Sequence, residues 1–170
     1  MVMHEMLQPC KKITKKGAHL ALFLLVILSS CSTSMRQWKL KCNKASYRKF
    51  TGSRLYLPAE NALSEVEVEI IKTSREQLIY LNAKGLEFQT ERKDLAGHAT
   101  LPVAIHVDEQ EHYYSAFLLQ GNQRILLPEN ACSLIISSLL DHKKVTIVVS
   151  NRSTLLTHEH FTAHYSKLTY

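Results

Sequence analysis

The chain has 170 residues, of which 45% are hydrophobic and 21% are charged, and its formal net charge is +6 at pH 7. This composition is close to that of ordinary globular proteins. The sequence has no low-complexity tract and no internal repeat, so a solenoid or another repeat protein is excluded. If the first 30 residues are removed, the remaining chain of about 140 residues has the size of one domain.

The N-terminal segment has the three parts of an export signal. Lys11, Lys12, Lys15 and Lys16 form a cationic region, residues 20–28 are an unbroken apolar run, and two serines follow. This order predicts a secretory signal peptide. The run is too short for a permanent membrane span, because a spanning helix needs about 20 apolar residues.

The apolar run ends in Leu28, Ser29, Ser30 and Cys31. This motif resembles the lipobox of bacterial lipoproteins, and the resemblance covers residues 11–31 alone. It implies that the Cys31 thiol is alkylated with diacylglycerol, that cleavage falls between Ser30 and Cys31, and that the new amino group is acylated. The alternatives are a plain secretory peptide cleaved near Ser30 or Ser34, or a buried helix that contains a cysteine.

Residues 31–59 are predicted to be a lipidated basic tether, since no acidic residue occurs before Glu60. The cations that we expect at a membrane surface are Arg36, Lys39, Lys41, Lys44, Arg48 and Lys49. Such a segment either lies on anionic headgroups or is a solvated tether. Nucleic acid is not an expected partner, because export separates the chain from it. Ser32 after the lipidated cysteine resembles the sorting signal for the outer membrane.

Two thiols, Cys42 and Cys132, remain in the mature chain once Cys10 is removed with the signal and Cys31 is acylated. An even pair in an oxidising compartment predicts a disulfide between Cys42 and Cys132. In the alternative interpretation Cys132 is a small buried hydrophobic residue on a helix face and Cys42 is free.

Period-two patterns predict the first strands. Residues 65–70 alternate between glutamate and an aliphatic residue, which indicates a strand with one buried and one solvated face. Strands at 77–81 and 86–90 follow across polar turns and suggest an antiparallel meander. Residues 91–100 are polar and are predicted to be an exposed loop.

The second half of the domain is predicted to contain strands and one helix. Strands are expected at 103–107, 112–119 and 124–127, with a tight turn at Gly121 and Asn122. A helix is expected at about 130–141 with Asn130 as its cap, and residues 145–149 form an apolar, central strand. At the C-terminus, Phe161, Tyr165 and Leu168 have helical spacing, while residues 154–158 could instead extend as an edge strand.

Strands interrupted by one late helix predict an α+β domain at residues 60–170, in which a mainly antiparallel sheet carries one packed helix. A C-terminal helix is an additional element of this prediction. A β-sandwich is the alternative fold.

The C-terminal histidines are the candidate metal ligands. On a helix, His160 and His164 would project from one face and could share a zinc ion, with His158 nearby. The spacing is not that of the zinc proteases, and a polar histidine-rich surface is the other interpretation. Cys132 as a nucleophile with His112 or His142 is a weaker hypothesis, because a thiol on an apolar helix face is usually inert.

These patterns favour a lipid-anchored envelope protein that acts as a non-enzymatic binding, assembly or structural module. We expect no cofactor, and we expect membrane lipid and other envelope proteins as partners. The outer membrane is the favoured location. The alternative is a periplasmic or surface metal-binding protein or hydrolase that uses the C-terminal histidines.

Overall fold

Residues 36–42, 53–90 and 92–168 are described by the structure, a computed structural model. They belong to a unit that begins at Arg36. The predicted signal peptide at 1–30, including Ser30, and the predicted acylated residue Cys31 lie outside the described residues, as do Lys44, Arg48 and Lys49.

Nine described strands form one sheet in which neighbouring strands are antiparallel, in the order β1-β2-β3-β4-β7-β6-β5-β8-β9. The fold is therefore dominated by an antiparallel sheet, as the sequence predicted, and these strands are not divided between the two sheets of a β-sandwich. The strands are β1 (Lys39–Cys42), β2 (Ser53–Leu57), β3 (Glu67–Lys72), β4 (Gln77–Asn82), β5 (Thr100–Val107), β6 (Gln110–Leu118), β7 (Arg124–Leu126), β8 (Val145–Val149) and β9 (Arg152–Leu156).

One face of the sheet holds the core, because alternate residues of each strand are apolar. In β5, for example, Val103, Ile105 and Val107 are buried, whereas Pro102 on the opposite face is exposed. The same alternation occurs in β8, whose first, third and fifth residues are buried. We call the opposite face the outer face, and it carries the polar and charged residues discussed below.

The first two strands correct the predicted tether. Residues 36–42 and 53–57 are part of the folded unit, so the domain boundary predicted at residue 60 is too late. Trp38, Leu55 and Leu57 are buried in the core. The density of cations between residues 36 and 54 concealed these strands, because lysine and arginine occupy the alternate, outward positions.

Two helices are described, α1 (Glu129–Leu140) and α2 (Phe161–Tyr165). The predicted helix at about 130–141 is confirmed as α1, which contacts β4, β5 and β8. Its N-cap is Pro128 rather than the predicted Asn130, and the N–H of Cys132 donates to the Pro128 carbonyl at 3.0 Å. Pro128 has an extended conformation, which is usual for a residue that precedes the first helical turn.

Two strand predictions were wrong in detail. Residues 86–90 form no regular strand, and the two neighbours of β4 in the sheet are β3 and β7. Phe88 in this segment is buried, and its N–H donates to the Asn122 carbonyl at 2.7 Å. β8 is not central but lies next to the edge strand β9. The prediction of an edge strand near residues 154–158 is confirmed by β9.

The sheet curls so that β9 meets the segment that precedes β3. The N–H of Ser153 donates to the Ser64 carbonyl at 2.9 Å, and the N–H of Val66 donates to the Thr154 hydroxyl at 2.9 Å. These bonds satisfy backbone groups at an edge that would otherwise be open. Within the described part of the chain, no helix has the length and apolar character needed to cross a membrane.

Candidate functional site

The N-terminal end of the folded unit is fixed by Arg36. Its guanidinium donates to the carbonyls of Val66 at 3.3 Å and Leu155 at 3.4 Å, and it lies 3.4 Å from the Glu65 carboxylate. Burial lowers the pKa of Arg36, while Glu65 and Glu60 oppose this change. Arg36 thus joins the start of the unit to β9 and to the segment before β3.

Trp38 completes this attachment. Its indole N–H donates to the Thr157 carbonyl at 2.6 Å, and its ring lies 5.1 Å from the ring of Phe161, centroid to centroid. Phe161 in turn stacks on Tyr165 in α2 at 5.3 Å. We call Arg36 and Trp38 with these contacts the N-terminal clasp. It means that the chain enters the folded unit at a fixed point only five residues after Cys31.

A charged cluster lies on the outer face, centred on the carboxylate of Glu69 in β3. Its two oxygens accept hydrogen bonds from Arg54 and Arg124, each at 2.7 Å. The Glu69 side chain is 5% exposed, while the two arginines are about 40% exposed. The Arg124 guanidinium also lies 3.8 Å from the centre of the Tyr80 ring, a cation–π contact.

Glu69 was predicted to lie on a solvated face, and the structure shows it buried instead. It lies on the outer face as its period-two position requires, but the neighbouring arginines cover it. β2 and β4 flank β3, and β7 pairs with β4, which brings Arg54 and Arg124 to the carboxylate. The signal in the sequence was one arginine at an outward position of β2 and one at an outward position of β7. That these arginines meet Glu69 cannot be recognised until the strand order is known.

A shallow groove of about 240 Å³ lies beside the cluster. It is lined by Lys41, Arg54, Tyr56, Glu67, Glu69 and Lys84. Lys84 lies 3.0 Å from the Glu67 carboxylate, so both carboxylates of the groove are paired with cations. Chemically, this arrangement suits the binding of a negatively charged group to the cations that remain, Lys41 in particular.

Two aromatic side chains are exposed farther along the outer face. Tyr113 and Phe117 lie on β6 and are 72% and 37% exposed. They point to the same side because they are four positions apart on one strand, an even spacing. Pro102 on the neighbouring β5 is also exposed, and it pairs with Ser115, which lies between the two aromatics. Exposed aromatics of this kind are enriched at protein interfaces.

The C-terminal histidines do not form the predicted metal site. α2 begins at Phe161, so His160 precedes the helix and has a left-handed backbone, with φ of 58°. It therefore cannot share a helix face with His164, and the His158 ring instead lies 5.5 Å from the ring of His142. Among the described residues, no three side chains of histidine, cysteine, aspartate or glutamate are grouped to hold a metal ion.

The predicted disulfide between Cys42 and Cys132 is not formed, because Cys132 is a free, buried thiol. Cys132 lies in α1 near Ile79 of β4, whereas Cys42 lies in β1, three strands away in the sheet. Three strand spacings amount to about 14 Å, which exceeds the ~4.4–6.8 Å between the Cα atoms of a disulfide. The alternative, a small buried hydrophobic residue, describes Cys132 in this structure.

Burial raises the pKa of the Cys132 thiol to about 11 from its ordinary value of 9.0. The folded state therefore binds the thiol proton more tightly than the unfolded state does. This tighter binding adds to the free energy of unfolding below pH 9, and the contribution is lost as the pH rises from about 9 to 11. We expect no alkylation of Cys132 in the folded protein at pH 8.

A Cys132→Val variant lacks the thiol, so its free energy of unfolding should fall less steeply between about pH 9 and 11 than that of the unaltered protein. Urea titrations at several pH values measure this slope, and equal slopes for the two proteins would contradict the prediction.

The chain shows no match to a known family model, to a curated protein or to a solved structure. The described part of the chain offers three features that bear on function: the N-terminal clasp, which begins five residues after Cys31, the charged cluster around Glu69, and the exposed aromatics of β6.

Proposed function

We propose that this chain is the precursor of a lipid-anchored bacterial envelope protein whose mature domain is a non-enzymatic binding, assembly or structural module. The observation that carries the proposal is the lipobox-like motif that ends in Cys31, which stands five residues before the N-terminal clasp at Arg36. Membrane lipid attached through Cys31 is the first partner, and the outer membrane is the proposed location.

A lipid on Cys31 would keep the folded unit close to the bilayer. Five residues span at most roughly 18 Å when fully extended. Each methylene of an acyl chain contributes about 0.8 kcal/mol to membrane binding, so two or three chains anchor a protein durably. The long tether expected from the sequence is therefore replaced by a short connection to a folded domain.

For the fold we propose the α+β class, with α1 packed against the core face of the sheet. This class is supported by the buried residues of α1, which include Ile135 and Leu139, and by the contacts of α1 with β4 and β5. Because α1 occupies the core side, the outer face is available for partners. We propose that Tyr113 and Phe117 on this face contact another envelope protein.

The anchor is tested by the intact mass of the mature protein extracted from membranes. We expect a lipid-sized increment on a chain that begins at Cys31, and we expect Cys31→Ser to abolish both the increment and the cleavage before residue 31. Cys10→Ser is the matched control, since it removes a thiol from the predicted signal and should leave the mature mass unchanged. An unmodified chain, cleaved elsewhere or uncleaved, would contradict the proposal.

A further inference from the structure

The exposed side of β1 carries two cations with no partner among the described residues. Lys39 and Lys41 are both exposed, and the structure gives neither an ion pair with any described carboxylate. β1 is an edge strand, and its lysines lie opposite Tyr56 and Arg54 of β2. The two lysines therefore stand at the border of the outer face, beside the charged cluster.

The carboxylates near these lysines are already neutralised. Glu69 is paired with two arginines and Glu67 with Lys84. Among the described residues, this part of the outer face thus has five cations against two carboxylates. The five cations are Lys39, Lys41, Arg54, Lys84 and Arg124. From residue 55 onward acidic residues outnumber basic ones by 14 to 10, so this local excess of cations contrasts with the net negative charge of that part of the sequence.

The chain that joins this side to the proposed anchor is short in sequence. Lys39 follows Arg36 by three residues, which corresponds to about 10 Å of extended chain. Arg36 itself is within roughly 18 Å of Cys31 by chain length. Lys39 and Lys41 can therefore reach the headgroup layer of the membrane in which the lipid is inserted.

From this juxtaposition we infer that the β1–β2 part of the outer face rests on anionic lipid headgroups, which fixes the orientation of the domain on the bilayer. The inference rests on the proposed anchor at Cys31. Lys39 and Lys41 approach lipid phosphates, and Tyr56 lies between them and the cluster as an interfacial aromatic. The attraction is electrostatic, so 1 M salt, with a Debye length of about 3 Å, abolishes it.

The experiment uses the lipidated protein in vesicles of phosphatidylcholine, with or without phosphatidylglycerol, and a brief pulse of an amine-reactive reagent read by mass spectrometry. We expect phosphatidylglycerol to slow the labelling of Lys39 and Lys41 by roughly fivefold at low salt, because each cation is attracted to the anionic surface. Lys143, exposed after α1, serves as the internal reference and should be labelled equally in both vesicles.

A matched pair of variants tests whether these two lysines cause the orientation. In Lys39→Glu/Lys41→Glu, phosphatidylglycerol should no longer protect Lys84, which belongs to the same face. In the control, Lys93→Glu/Lys144→Glu, which makes the same change of charge at two other exposed lysines and keeps Lys143 as the reference, protection of Lys84 should persist. A lipidated protein whose Lys39 and Lys41 are labelled equally in both vesicles would overturn this inference alone. A mass spectrum without lipid on Cys31 would overturn the proposed anchor and this inference with it.

Discussion

Replacing Trp38 by alanine is expected to lower the free energy of unfolding by about 4 kcal/mol, within the range for truncating a buried aromatic residue. Trp38 is 2% exposed, packs against Phe161 and donates its indole N–H to Thr157. Alanine would remove the ring and both contacts. The clasp would then no longer hold the start of the unit to β9 and α2.

Urea denaturation followed by far-ultraviolet circular dichroism measures this effect, since Trp38 is the single tryptophan and its fluorescence is lost in the variant. Trp38→Phe should cost about 1–2 kcal/mol, because it keeps most of the packing but loses the hydrogen bond to Thr157. The control is Gln37→Ala at the exposed neighbouring position, which should change stability by less than about 0.5 kcal/mol. If Trp38→Ala had an equally small effect, residues 36–42 would belong to a tether after all.

Local patterns in the sequence were sufficient for much of the sheet and for α1. The alternation at 65–70 and at 103–107 predicted β3 and β5, and the apolar spacing after Pro128 predicted α1. These elements could be found because burial on one face imposes a period of two on a strand and 3.6 on a helix. The signal depends only on residues within the element, so no knowledge of the strand order is needed.

β1 and β2 could not be predicted in this way, although their core residues follow the same rule. Leu55 and Leu57 are buried, but the outward residues of both strands include lysine and arginine, and this charge suggested a solvated tether. β1 is also only four residues long. A short strand with strongly charged outward positions gives a weak periodic signal, and Trp38, the largest buried residue of this region, precedes β1.

The candidate sites depend even more on long-range pairing. Glu69 is buried because β2 and β7 bring arginines to it from residues 54 and 124, and no local pattern contains that information. The histidine prediction was wrong for a local reason: it required a helix that includes residue 160, and α2 begins one residue later. The prediction for Cys31 depends on the sequence motif and stays a prediction.

In the charged cluster, removing the two arginines is expected to lower the free energy of unfolding more than removing the carboxylate. Arg54→Ala combined with Arg124→Ala should destabilise the domain by about 3–5 kcal/mol, because a buried charge that loses its partners is costly. Glu69→Ala should cost less, about 2 kcal/mol, since arginines that are already partly exposed can turn toward water.

The order of these two effects distinguishes a buried carboxylate from an ordinary surface network. Urea unfolding of both variants gives the comparison. Glu67→Ala is the control: the Glu67 side chain is 17% exposed, more than that of Glu69, and its partner Lys84 is 60% exposed and can turn toward water, so the loss should be about 1 kcal/mol. Adding Glu69→Leu to the double arginine variant should restore stability, since no charge is then left buried. Equal losses for the arginine and glutamate variants, or no recovery with leucine, would contradict this account. In that case the cluster would act mainly through the packing of the arginine stems and the stacking of Arg124 on Tyr80.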